Sequence, residues 1–168
     1  NVSNDWSQYI TDEGMLEIKL VFEGEGGHTV DIDHFQLVFS NIEDDITQTS
    51  INYKPETIYV ETGDMVSGTN ISNINEKDYK YFSITSSNNR AAWWAPFFIR
   101  EEKDDVTSIE INYSGKNSTK VNDVWVSLYR FDTKNWEVIG IVEGSDITES
   151  RSFTVSQQGV DSYISDTG

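Results

Sequence analysis

The chain has 168 residues, enough for one domain with a sizeable core, and carries 29 Asp and Glu against 12 Lys and Arg, a net charge of −17. That balance argues against nucleic acid and anionic membranes as partners, because phosphate binding needs the opposite sign. The absence of cysteine excludes a disulfide framework and thiolate metal sites, but not secretion.

In chain order, the first feature is a phrase, Trp6-Ser7-Gln8-Tyr9-Ile10-Thr11-Asp12-Glu13-Gly14, that returns at the other end as Val160-Asp161-Ser162-Tyr163-Ile164-Ser165-Asp166-Thr167-Gly168. Behind Gly14, Leu16, Ile18, Leu20 and Phe22 alternate with Glu17, Lys19 and Val21, the period of a half-buried strand over Met15 to Glu23. Gly24-Glu25-Gly26-Gly27 makes a turn, and Thr29 to Phe39 runs back. This return strand changes phase: Val30 and Ile32 share one face, whereas Phe35, Leu37 and Phe39 share the other. A bulge at Asp33-His34 reconciles them. Residues 41–54, polar and acidic around Glu43-Asp44-Asp45, read as a linker or crossover.

Further strands are predicted at 57–61, 79–85, 92–99, 106–113, 123–131, 135–142 and 151–156, separated by turn-rich stretches. Val124, Val126 and Leu128 alternate with Trp125, Ser127 and Tyr129, and Trp136, Val138 and Val142 continue the pattern beyond the Asp132–Asn135 turn, so 123–142 is a hairpin. No amphipathic helical stripe occurs. The expected fold is therefore all-β: an antiparallel, jelly-roll-like β-sandwich. The repeated phrase divides it into closing strands (1–40), the acidic linker (41–54) and a main body (55–168). The 1–40 segment then reads as the tail of a preceding unit or as donor strands, which points to tandem repetition or strand exchange. Whether strands 15–40 complete their own chain or a neighbour is open at this point.

The search for chemistry is sparse. His28 and His34 flank Asp31 and Asp33 at a tempting spacing, but in a regular strand the two histidines and the two carboxylates fall on opposite faces. Asp33 is expected to hold backbone donors instead. No cofactor is required by any motif. Calcium is the one candidate ion, with Asp31, Asp44, Asp45, Asp104 and Asp105 as its oxygen donors. There is no Gly-x-Ser-x-Gly elbow and no carboxylate pair that stands out, so the chain is not expected to be an enzyme. Trp93 and Trp94 are adjacent, so one points inward and the other outward. Trp93, Trp94 and Trp125, with Tyr79, Tyr81 and Tyr129 nearby, are candidates for stacking on a sugar. Asn1, Asn70, Asn112 and Asn117 head N-x-S/T sequons and are candidate glycosylation sites. No run is long enough for a membrane span, and no basic-then-apolar leader opens the sequence, so Asn1 reads as a mature or trimmed terminus.

Several pieces carry a resemblance: Gly63-Asp64-Met65-Val66-Ser67-Gly68, Lys77-Asp78-Tyr79-Lys80-Tyr81-Phe82, Ile109-Glu110-Ile111-Asn112-Tyr113-Ser114-Gly115-Lys116-Asn117-Ser118, the hairpin Leu128 to Val138, and Tyr163 to Gly168. On these, residues 55–168 resemble an accessory β-sandwich module of secreted bacterial and archaeal proteins that often stands beside hydrolase domains. The module's two final strands, which end in a pattern like V-D-x-x-x-L, appear here at the front as Met15 to Glu23 and Val30 to Leu37, so the resemblance is permuted. It implies an extracellular or cell-surface location and no catalytic residues. Two functions follow. The first is a structural module that joins copies of itself into a filament or array, with Leu16, Ile18, Leu20, Phe22, Phe35, Leu37 and Phe39 on the assembly strands. The second is a carbohydrate-binding accessory domain whose partner is a polysaccharide.

Overall fold

Period-2 alternation of apolar and polar residues is realised almost throughout. The computed structural model describes residues 14–24, 26–43, 47–99, 106–118, 123–131 and 133–156, with the backbone alone at 41–43, 47, 48, 106 and 156. The strands are β1 (Met15–Glu23), β2 (Thr29–Glu43), β3 (Thr47–Tyr53), β4 (Tyr59–Thr62), β5 (Asp64–Met65), β6 (Phe82–Thr85), β7 (Arg90–Phe98), β8 (Val106–Asn117), β9 (Asp123–Arg130), β10 (Asn135–Val142) and β11 (Glu149–Ser156). A 3-10 turn at Ile71–Ile74 is capped by the Asn70 side chain, which accepts from the Ser72 N–H. Among the described residues there is no α-helix.

Two antiparallel sheets face each other. One runs β10-β9-β1-β7-β4. The other runs β11-β8-β2-β6-β5, with β3 also paired to β2. Among the described strands, only β2–β3, β5–β6 and β9–β10 connect within a sheet; every other connection between them passes from one sheet to the other, the wrapping expected of a jelly roll. Leu16, Ile18, Leu20 and Phe22 point inward from β1, and Val124, Val126 and Leu128 from β9. Across the core, Phe35 of β2 meets Trp93 of β7 edge to face, with ring centroids 4.7 Å apart, and so locks one sheet to the other.

The phase change in β2 is a bulge. Ile32 stands opposite Gly115 and His34 opposite Ser114, which leaves Asp33 as the extra residue. Val30 and Ile32 before it and Phe35, Leu37 and Phe39 after it then all face the core. Asp33 is 2% exposed, and its carboxylate accepts the Tyr79 backbone N–H at 2.6 Å.

Two expectations are corrected. Residues 41–54 are not a linker: β2 continues to Glu43 and β3 pairs back along it from Leu37↔Tyr53 to Glu43↔Thr47. A polar strand at the margin of a sheet has no apolar alternation to announce it. Residues 79–81 are not strand, because Tyr79 has φ +61°, and β6 begins at Phe82.

The closing strands belong to the chain itself. β1 lies between β7 and β9, and β2 between β6 and β8, so each is the middle of its sheet. Gly14 leads into β1 at φ +74°. Its carbonyl accepts from the Ile99 N–H at 2.6 Å, and a Cβ there would strike the Ile99 carbonyl oxygen.

Candidate functional site

The alternation that buries one side of β1, β7 and β9 sends a second set of residues to the solvent side of the five-stranded sheet. In register, Lys19 of β1 stands beside Ser127 of β9 on one flank and Trp94 of β7 on the other. Trp94 in turn stands beside Tyr59 of β4, and Trp136 of β10 beside Tyr129 of β9. The rings connect. Tyr59 and Trp94 stack at 4.3 Å and 19°, Trp94 and Trp136 lie 6.4 Å apart, and Trp136 meets Tyr129 at 5.2 Å, edge to face. Phe131 extends the row from Tyr129 at 5.0 Å. An uninterrupted row of aromatic rings therefore crosses the sheet from β4 to the β9–β10 hairpin. Tyr59 is 47% exposed, and the other four are half-buried.

Beside this row lies a trough of about 290 Å³, lined by Val21, Ser127 and Val138, by Trp125 and Trp136, and by Lys19, Glu23 and Arg90. Val21 and Ser127 point outward yet are only 6% and 4% exposed, since they lie sunk between the larger side chains. The Lys19 ammonium sits 4.8 Å from the centre of the Trp136 ring and 2.6 Å from the Glu61 carboxylate. Arg90 pairs with Glu23 at 3.4 Å. Glu17, opposite Pro96 on the same face, has its carboxyl raised above the usual range by burial.

The outer face of the other sheet is polar by contrast. There Asp31 accepts from the Ser83 hydroxyl at 2.6 Å, Tyr81 and Thr148 share a hydrogen bond at 2.8 Å, and Lys116 lies 5.0 Å from the Tyr81 ring.

No protein-family model, curated protein or solved structure matches this chain.

Of the residues expected to stack on sugar, the structure brings Trp94 and Trp125 to the solvent side of one sheet, with Tyr129 in the row. Trp93 is corrected: it is 0% exposed and belongs to the core. Tyr79 and Tyr81 are also outside the site, on the loop before β6, where Tyr79 donates its N–H to Asp33 and Tyr81 packs with Lys116. Sequence reasoning missed Tyr59, Trp136, Lys19 and Glu61. Trp136 was within reach, because it falls opposite Tyr129 once the hairpin register is written out; the β4–β7 pairing that supplies Tyr59 leaves no local signal.

The seven assembly residues, Leu16, Ile18, Leu20, Phe22, Phe35, Leu37 and Phe39, are each at most 1% exposed in the core of their own chain. Of the calcium candidates, Asp31 is engaged with Ser83, and Asp44, Asp45, Asp104 and Asp105 lie outside the described residues. Among the described residues no three His, Asp or Glu side chains converge. Asn1 lies outside them too. Asn70 is exposed. The Asn112 side chain donates to Glu110 at 2.7 Å. Asn117 is corrected as a glycosylation site: it is 2% exposed and its amide donates to the Ser145 carbonyl, so the folded chain encloses the nitrogen that would carry the glycan.

Proposed function

We propose that the chain is a non-catalytic binding module of an extracellular protein, holding carbohydrate on the aromatic face of the five-stranded sheet. The observation that carries this reading is the unbroken row Tyr59–Trp94–Trp136–Tyr129 on a solvent face. Half-buried rings fixed by their neighbours offer flat apolar surface with little ordering left to do on binding, and the polar groups beside them supply hydrogen bonds to hydroxyls. The resemblance of residues 55–168 to accessory modules of secreted proteins supports the same class. The test is affinity electrophoresis through gels that contain soluble polysaccharides. At least one polysaccharide retards the protein, and Trp94→Ala and Trp136→Ala each abolish the retardation while melting near the wild-type temperature. The reading fails if no polysaccharide retards the protein, or if both variants are retarded like the wild type.

A second reading, joining of copies, is favoured by the repeated phrase. Its glycine has a structural duty at Gly14, where only glycine fits against Ile99. Because β1 and β2 already complete their own sandwich, the joining segments in this reading lie outside the two strands. Light scattering across a concentration series tests it: the intact chain forms species larger than a monomer, and a chain lacking residues 1–13 does not. A strictly monomeric intact chain rules it out.

A further inference from the structure

We infer that the ligand of the aromatic face is a neutral, extended polysaccharide lying across the strands, and not a charged glycan or a single sugar; this rests on the carbohydrate reading above. Three observations carry it. The ring row runs from β4 towards β10, with successive ring centres 4.3, 6.4 and 5.2 Å apart from Tyr59 through Trp94 and Trp136 to Tyr129. A row of that length matches several sugar rings in line. The trough between Trp125 and Trp136 adjoins the row, and its Ser127 hydroxyl, Glu23 carboxylate and Lys19 and Arg90 nitrogens are of the kinds that bond hydroxyls. Finally, both basic side chains that line the trough are already matched with carboxylates, Lys19 with Glu61 at 2.6 Å and Arg90 with Glu23 at 3.4 Å. An anionic glycan would have to displace those partners against a chain of net charge −17, whereas a neutral one need not.

The experiment is calorimetric titration with mono-, tri- and hexasaccharides of two series. One series is neutral (β-1,4-glucan, xylan, N-acetylglucosamine and α-1,4-glucan oligomers), and the other is anionic (oligogalacturonates and sulfated oligomers). Each is run at about 20 mM and about 0.5 M sodium chloride, a range over which electrostatic screening shortens several-fold. The expected result is binding by at least one neutral hexasaccharide about tenfold or more tighter than its monosaccharide, less than about twofold change with salt, and anionic oligomers at least about tenfold weaker. Tighter binding of the anionic series, or affinity that is complete with one ring, overturns the inference. If such binding is still lost in Trp94→Ala, the carbohydrate reading survives without it. If no oligosaccharide of either series binds, both fall.

Discussion

Two adjacent tryptophans take opposite faces of β7. Trp93 is fully enclosed and touches Phe35 across the core, whereas Trp94 is half-buried on the solvent face and stacks on Tyr59. Trp93→Ala is expected to cost about 3–5 kcal/mol, because it leaves a cavity where the two sheets are locked. Trp94→Ala is expected to cost about 1–2 kcal/mol, less than Trp93→Ala because the ring is only half-buried, yet to remove most of the proposed binding. Urea unfolding of both variants, set beside their retardation in polysaccharide gels, checks the split. Comparable destabilisation by the two substitutions would contradict the assignment of faces. The contrast between neighbours follows from strand geometry alone; which of the two faces inward is decided by the register of β7 against β1.

At the level of elements, the bulge at Asp33 reconciles two halves of β2 that are out of phase. Deleting Asp33 would put Val30 and Ile32 on the solvent side whenever Phe35, Leu37 and Phe39 face inward, because a one-residue slip exchanges the faces of a strand. It would also leave the Tyr79 N–H without its carboxylate. The deletion variant is therefore expected to lose cooperative thermal unfolding, while Asp33→Ala, which keeps the register, costs about 1–3 kcal/mol for the lost acceptor. Calorimetry of the two proteins distinguishes the cases. This bulge, β1 and the β9–β10 hairpin were legible in the sequence because alternation is strong there and one face is apolar. The strand β3 was not, since Thr47, Gln48, Thr49, Ser50 and Asn52 give no apolar alternation in the sequence and only pairing along β2 makes them a strand. Tyr79 and Tyr81 misled in the other direction: aromatic content suggests a strand, but the positive φ of Tyr79 turns the chain instead. Half of the aromatic row could be read in advance and half could not, for the same reason. Trp94 and Tyr129 lie in strands with clear periodicity, while Tyr59 joins them only through a contact between strands far apart in the chain.

For the whole molecule, the ionisable groups inside it set a pH response. Burial lowers the tendency of both His28 and His34 to take a proton, so the unfolded chain binds protons more readily below about pH 6.5. Stability is expected to fall as pH drops through that range, and the double variant His28→Gln/His34→Gln should show a flatter melting temperature between about pH 7 and pH 5. Glu17 acts with the opposite sign. Its raised carboxyl favours folding below the ordinary glutamate range and loses that contribution as pH rises through its folded value. Glu17→Gln should therefore raise the melting temperature at pH 7 and not near pH 3.5, a comparison that one set of thermal scans settles. The place of β1 and β2 at the middle of both sheets has a consequence for synthesis. Their partners β6, β7, β8 and β9 are made tens of residues later, so two strands that each carry a row of core side chains leave the ribosome well before those flanking strands exist. β2 has both neighbours only once β8 has emerged and β1 only once β9 has, and a nascent chain halted before β8 presents two sticky strands to the cell.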